Sequence, residues 1–209
     1  MIQTFGLVKS YTKDRKIIFP DFKVQNAEVL LIHGPSGCGK TSLLHILAGL
    51  ITQDEGSVEF DDQKMEELSD SQRDNFRGKN IGVCLQKPIF IRSLSVLDNL
   101  LLSQKISADQ IDKDYCLSLL IELNLEHTIN QKTNTLSQGE QQRLMLIRAL
   151  INKPKLILAD EPTSSLDDTN TIKLGEILIE QSKTHHASLI VVSHDERLKR
   201  IFHNKILLS

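Results

Sequence analysis

The densest chemical signal in the 209-residue sequence is Gly34-Pro35-Ser36-Gly37-Cys38-Gly39-Lys40-Thr41, a GxxxxGK[ST] segment followed by Ser42. Glycines at 34, 37 and 39 let the backbone turn its N–H groups inward around oxygen atoms, where a side chain would collide with the chain or the phosphate. The helix that follows adds its positive N-terminal end. Lys40 can then reach the β- and γ-phosphates of a nucleotide, and the Thr41 hydroxyl is placed to ligate Mg²⁺. Cys38 counts here only as a small residue. A chance Gly-rich turn is disfavoured, because the apolar run VLLIH precedes the segment and a helical pattern over 42–50 follows it. A second apolar run, LILA, ends in Asp160-Glu161 and Pro162. Adjacent carboxylates at a strand's carboxyl edge stand where open α/β sheets bind ligands. Asp160 would hold Mg²⁺ through its water shell, and Glu161 would orient or deprotonate the water that attacks the γ-phosphate. Alone, such an acid pair is equally well a solvated strand end. In a chain that also carries a phosphate loop, it points to nucleotide hydrolysis.

Short β-rich runs alternating with amphipathic helical runs must position these groups, which predicts a mainly parallel sheet flanked by helices. Strands are expected at 2–7, 16–19, 29–33, 57–60, 81–85, 155–159, 188–192 and 205–208. VLLIH, LILAD and LIVVS are continuous apolar runs, as for central strands covered on both faces. Between about 87 and 135 the spacing turns helical: Leu97, Leu100 and Leu101, then Leu117, Leu120 and Ile121, recur at three and four residues. Ser95 with Asp98 is an expected N-cap. The chain is therefore read as one domain, 1–209, with a core of about 1–86 and 136–209 and an inserted helical lobe of about 87–135. Apolar residues make up 40% and charged residues 25%, as in ordinary globular proteins, and 25 basic against 27 acidic side chains give a net charge of −2. No global positive field points to nucleic acid or to an anionic membrane. Three widely spaced cysteines without a CxxC argue against a disulfide framework or structural zinc and fit a reducing cytoplasm. No segment approaches the ~20 apolar residues of a membrane span.

Phosphate loop and carboxylates leave kinases, GTPases, helicases and transport motors open. Three further segments narrow the choice: LSQGEQQR at 136–143, SSLD at 164–167, and His194 after LIVVS, 33 residues beyond Glu161. With Gln86 after IGVCL, their order resembles that of the ATP-binding-cassette (ABC) family over nearly the whole chain: phosphate loop, glutamine loop, signature, carboxylate strand, aspartate loop, switch histidine. The resemblance implies a P-loop NTPase core with an N-terminal antiparallel β subdomain and an inserted helical lobe. It also implies ATP and Mg²⁺ as ligands. Ser137 with the Gly139 backbone and the following helix start makes a second anion site that one chain does not need. In the family two cassettes bind head to tail, so that each ATP lies between one chain's phosphate loop and the other's signature. Gln138 stands where glycine is usual, and Glu140 completes a capping box with Ser137. By the same resemblance Tyr11 would stack on adenine, Gln86 would sense Mg²⁺ and the attacking water, His194 would contact the γ-phosphate and hold Glu161, and Asp167 would reach across the dimer.

The expected partners are a second copy of the chain, as an ATP-bound homodimer, and a membrane-spanning permease whose cytoplasmic helices dock near Gln86. That places the protein peripherally on the cytoplasmic face of the membrane. Residues 68–86 resemble the branch containing lipoprotein-release, macrolide-export and cell-division cassettes, although PTSSLD replaces PTGNLD and QGE replaces GGE. Two alternatives are a soluble ABC-type ATPase of DNA repair or translation and a regulatory ATP-dependent clamp on a membrane protein. The first lacks support, since the sequence has no coiled-coil, zinc-hook or tandem-cassette insertion, and RLKR at 197–200 is only a short basic run. Lys40→Ala should weaken ATP binding at least tenfold, an approximate scale for losing a charge-assisted phosphate contact; wild-type affinity in a fluorescence titration would contradict the phosphate-loop assignment.

Overall fold

Three apolar runs become neighbouring strands of one sheet. The computed structural model describes residues 1–12, 15–107, 111–164 and 166–209. In chain order these form β1 (Ile2–Thr12), β2 (Arg15–Ile18), β3 (Lys23–Val24), β4 (Val29–His33), α1 (Lys40–Leu47), β5 (Glu55–Phe60), β6 (Gln63–Lys64), α2 (Asp70–Asn80), β7 (Ile81–Cys84), α3 (Val96–Ser107), α4 (Lys113–Glu122), α5 (Gln138–Leu150), β8 (Leu156–Asp160), α6 (Asp168–Thr184), β9 (Ser188–Ser193) and β10 (Lys205–Leu207), with short 3₁₀ turns between some of them.

The parallel sheet has the order β10-β4-β9-β8-β7. VLLIH (β4), LIVVS (β9) and LILAD (β8) thus lie side by side, with β9 in the middle and every pairing parallel. Each run is apolar throughout because alternate residues face two different cores. Leu31, Ile157, Ala159, Leu189 and Val191 join α3, α4, α5 and α6 on one face. Leu30, Ile32, Leu156, Leu158, Ile190 and Val192 join α1 and the antiparallel strands on the other. A second, antiparallel sheet of β2-β1-β5-β6, with β3 also on β1, covers the α1 side. α3 and α4 pack with α5 against the opposite face through Leu100, Leu119 and Leu120.

The structure lengthens and trims several elements. β1 was expected to end at 7 but runs to Thr12, because the β1–β2 ladder pairs Val8 with Ile18 and Thr12 with Arg15. That extension carries Tyr11 to the end of the sheet nearest the phosphate loop. The helix expected over 42–50 begins at Lys40 and stops at Leu47. Gly49 (φ 64°) closes it: its N–H donates to the Ile46 carbonyl at 2.9 Å and the Leu50 N–H to that of His45 at 2.9 Å, the paired bonds of a glycine C-terminal motif. α5 starts at Gln138, with Ser137 as N-cap. Two-residue strands β3 and β6 left no periodic signal. The Ser95–Asp98 cap is present, the Asp98 N–H donating to Ser95 Oγ at 3.1 Å. Leu158, fully buried on β8, should cost about 2–5 kcal/mol when cut to alanine; urea unfolding measures it, and a loss below 1 kcal/mol would mean the core is packed otherwise.

Candidate functional site

Parallel register brings the carboxyl ends of β4, β9 and β8 together. The phosphate loop leaves β4, Asp160 closes β8 with Glu161 next, and His194 follows β9. Gly39, at φ 104°, is the residue from which α1 starts; in that left-handed region a side chain is strained, and an added Cβ would also lie 3.0 Å from Ile17. Lys40 opens α1 and is 6% exposed. Its Nζ donates to the carbonyls of Gly34 and Pro35, both at 3.0 Å, and lies 3.6 Å from Glu161 Oε1. Thr41 Oγ1 donates to Asp160 Oδ1 at 3.1 Å. Burial pushes the Asp160 carboxyl above the usual range, with the Thr41 bond opposing it. A buried carboxylate touching a hydroxyl is a hard oxygen donor set suited to a divalent cation such as Mg²⁺.

Glu161 is the most constrained residue of the site. Its φ of 45° is left-handed, a conformation that costs a non-glycine residue about 1–3 kcal/mol and survives only where neighbours enforce it. Here its N–H donates to the Val192 carbonyl at 2.9 Å, and its own carbonyl accepts from the Ser164 N–H at 3.2 Å. Its carboxylate accepts from Ser193 Oγ at 2.8 Å and from the His194 backbone N–H at 3.1 Å. His194 Nδ1 lies 2.7 Å from Oε1. The carboxylate is thus aimed by three donors and faces the Lys40 ammonium.

A cavity of about 410 Å³ opens over this edge. Of the residues singled out from the sequence, Tyr11, Ser36, Gly37, Gly39, Lys40, Thr41, Ser42, Gln86, Glu161 and His194 line it. Gly34 and Pro35 lie behind it as acceptors for Lys40, and Asp160 sits beneath Thr41. Cys38 packs against the core on the α1 side. Tyr11 OH donates to Ser42 Oγ at 2.5 Å, and the Arg15 guanidinium lies 5.9 Å from the Tyr11 ring centre while Nη2 donates to the Gly37 carbonyl at 3.3 Å. Arg15 and Ile17 also line the cavity. Sequence pattern could not find them, since only the β1–β2 hairpin register brings them across. Ser193 was missed as well, although its place directly before His194 was a usable signal.

Ser137, Gln138, Gly139, Glu140 and Asp167 are not in the cavity lining. Ser137 caps α5: its N–H and hydroxyl donate to Glu140 Oε2 at 2.7 and 2.6 Å, and His127 Nε2 lies 2.9 Å from Oε1. Those bonds, Ser137's first and His127's after, hold the Glu140 carboxyl down at about 2. A Cβ added at Gly139 would meet nothing within 4 Å. Among the described residues, nothing therefore demands glycine there. Asp167 caps α6 by accepting from the Asn170 N–H at 2.8 Å; Ser165 of the SSLD segment lies outside the described residues.

A family model described as ABC transporter matches residues 20–164. The lipoprotein-releasing system ATP-binding protein LolD of Pseudoalteromonas translucida is 39% identical over 181 residues, 85% of this chain and 78% of its own length. LolD of Xanthomonas oryzae pv. oryzae is 35% identical over 206 residues, covering 96% and 84%. Among solved structures, the ATP-binding cassette MJ0796, a dimer in a post-hydrolysis state bound to ADP and Pi, superposes with a TM-score of 0.89 at 30% identity over 100% of this chain and 94% of that one. CbiO1 of Clostridium perfringens, TM-score 0.88 at 22% identity over 100% and 84%, shares the fold. Gly139→Ala should raise the thermal stability of the isolated chain, by up to about 1 kcal/mol for a helical glycine, while reducing ATP turnover. Unchanged turnover would mean that the open space at Gly139 serves no contact.

Proposed function

This chain belongs to the ABC transporter family and is one of its ATPases; we propose that two copies close head to tail over two ATP molecules and drive a membrane-spanning permease. The observation that carries this is the pairing, at one sheet edge, of a phosphate loop with a carboxylate already aimed by His194 and Ser193. The triphosphate lies along the backbone N–H groups of the phosphate loop, and Lys40 exchanges the carbonyls of Gly34 and Pro35 for phosphate oxygens. Tyr11 and Arg15, flanking the mouth, offer the adenine a planar face. Glu161 orients the attacking water and accepts its proton. His194 holds Glu161 rather than acting as base. Thr41 and Asp160, with Gln86 alongside, would hold Mg²⁺, which when bound offsets charge on the β- and γ-phosphates.

The reaction is completed in trans. Ser137, the Gly139 backbone and the start of α5 present an anion site outside the cavity, and a second copy's γ-phosphate satisfies it. Gln138 lies exposed in the first turn, so it leaves that N-terminus open. Asp167 belongs to the same facing surface. The segment of about 87–135 serves as the lobe that meets the permease: Ile89 and Ile91, three and five residues past Gln86, are exposed apolar side chains, as is Leu50. Among the described residues no helix is long and apolar enough to cross a membrane, so the spanning part comes from a partner. The relatives named LolD are ATP-binding proteins of a lipoprotein-releasing system. By that likeness the permease is of the kind that acts on membrane-anchored lipoprotein, with this chain on the cytoplasmic face. Nucleic acid is not an expected partner.

Glu161→Gln tests the core of this scheme. The amide keeps the shape but cannot accept the proton, so turnover should fall about 10²-fold or more while Mg-ATP still binds. Size-exclusion chromatography with Mg-ATP should then show a dimer. A peak that stays monomeric with ATP demonstrably bound would rule out the two-chain site.

A further inference from the structure

Beyond the cavity, one charged cluster has a geometry that a surface ion pair does not need. Asp195, directly after His194, has a side chain only 10% exposed. Arg197 grips it with a fork, Nε to Oδ1 at 2.8 Å and Nη2 to Oδ2 at 2.7 Å. The remaining arm, Nη1, donates to Asp168 Oδ1 at 2.6 Å and to the Leu166 carbonyl at 3.3 Å. Leu166 and Asp168 are the immediate neighbours of Asp167. Fully buried Thr163 adds its hydroxyl to Asp195 Oδ2 at 3.1 Å.

The same cluster continues inward. The Asp195 N–H donates to Ser193 Oγ at 3.1 Å, and Ser193 Oγ donates to Glu161 Oε2 at 2.8 Å. An unbroken run of hydrogen bonds therefore joins the base to the loop around Asp167. Only arginine can do this: its planar guanidinium matches a carboxylate bidentately and still has a donor left, whereas lysine's ammonium is a point charge. Forked pairing holds the Asp195 carboxyl below its ordinary range and the Arg197 guanidinium above its own. A carboxylate this buried would be costly without that partner.

We propose that Arg197 is a positioning residue that locks the Asp167 loop to the Ser193–Asp195 turn, so that Glu161 is held in line only while the loop is seated. The inference rests on the two-copy reading above, in which the Asp167 loop faces the second chain. A partner that seats or lifts this loop then acts on the base through Arg197.

Arg197→Met and Arg197→Lys test it, each alone and with Asp195→Asn, by Mg-ATP turnover, nucleotide titration and thermal melting. Arg197→Met should lower kcat about tenfold, the scale of a misplaced catalytic group, with KM for ATP and monomer affinity within about twofold. Arg197→Lys should fall between Met and wild type. In the Asp195→Asn background the Met change should add less than about twofold, since coupled partners are not additive. Wild-type kcat in Arg197→Met would overturn the proposal. So would a higher KM together with lower melting temperature and kcat, equal in Met and Lys, which is the mark of a purely structural role. If the wild-type chain itself shows no Mg-ATP turnover, the ATPase scheme fails first, and that result is distinct from either of these.

Discussion

Three carboxylates, Asp160, Glu161 and Asp195, lie within a few residues of the same sheet edge and are nearly withdrawn from water. Each ionised group taken into a low-dielectric interior loses several kcal/mol of hydration, which is recovered only if opposite charge or hydrogen-bond donors meet it there. The structure meets all three in different ways. Asp160 receives Thr41, Glu161 receives Ser193 and His194 and faces Lys40, and Asp195 receives Arg197. On the proposed reading, Asp160 and Glu161 are held ready for a cation and a water, while Asp195 anchors Arg197.

The strain at Glu161 fits the same picture. A left-handed glutamate is tolerated because its N–H is taken by β9 and its carbonyl by Ser164, so backbone bonds fix where the carboxylate starts before any side-chain partner acts. By contrast, the signature segment is locally relaxed. Ser137 and Glu140 form a capping box that any helix could use, and Gly139 faces open space. The cavity edge is built under tension inside the chain, whereas the signature segment is an ordinary helix start displayed outside that cavity. On the proposed reading, a second copy completes a site divided in this way, and nucleotide binding becomes a change of assembly that a permease can feel.

Local chemistry was well served by the amino-acid order. Wherever glycine spacing, an apolar run and a following helix coincided, as at 34–42, the element could be named in advance. Boundaries were less legible. α1 ends at Leu47 because Gly49 adopts a left-handed turn, and β1 reaches Thr12 because β2 pairs with it; neither is encoded in a hydropathy period. Arg15 and Ile17 enter the cavity by hairpin register, a non-local fact. The brace from Arg197 to Leu166 and Asp168 joins residues 29 to 31 positions apart, and in the sequence it is only a short basic run.

What the sequence determined by itself is the chemistry: a phosphate-binding loop, a carboxylate pair and a histidine, each at the end of an apolar run, in an order that marks the family. Residue type and short spacing are enough for that, because each motif works through its own backbone and its immediate neighbours. What only the tertiary structure decided is which motif touches which. The order β4-β9-β8 differs from the chain order, and it is this crossover that sets His194 between the phosphate loop and Glu161, the Lys40 ammonium against the Glu161 carboxylate, and Arg197 across two loops. Such contacts arise from long-range strand pairing, whose driving force is burial on both sheet faces, and no local pattern specifies its register.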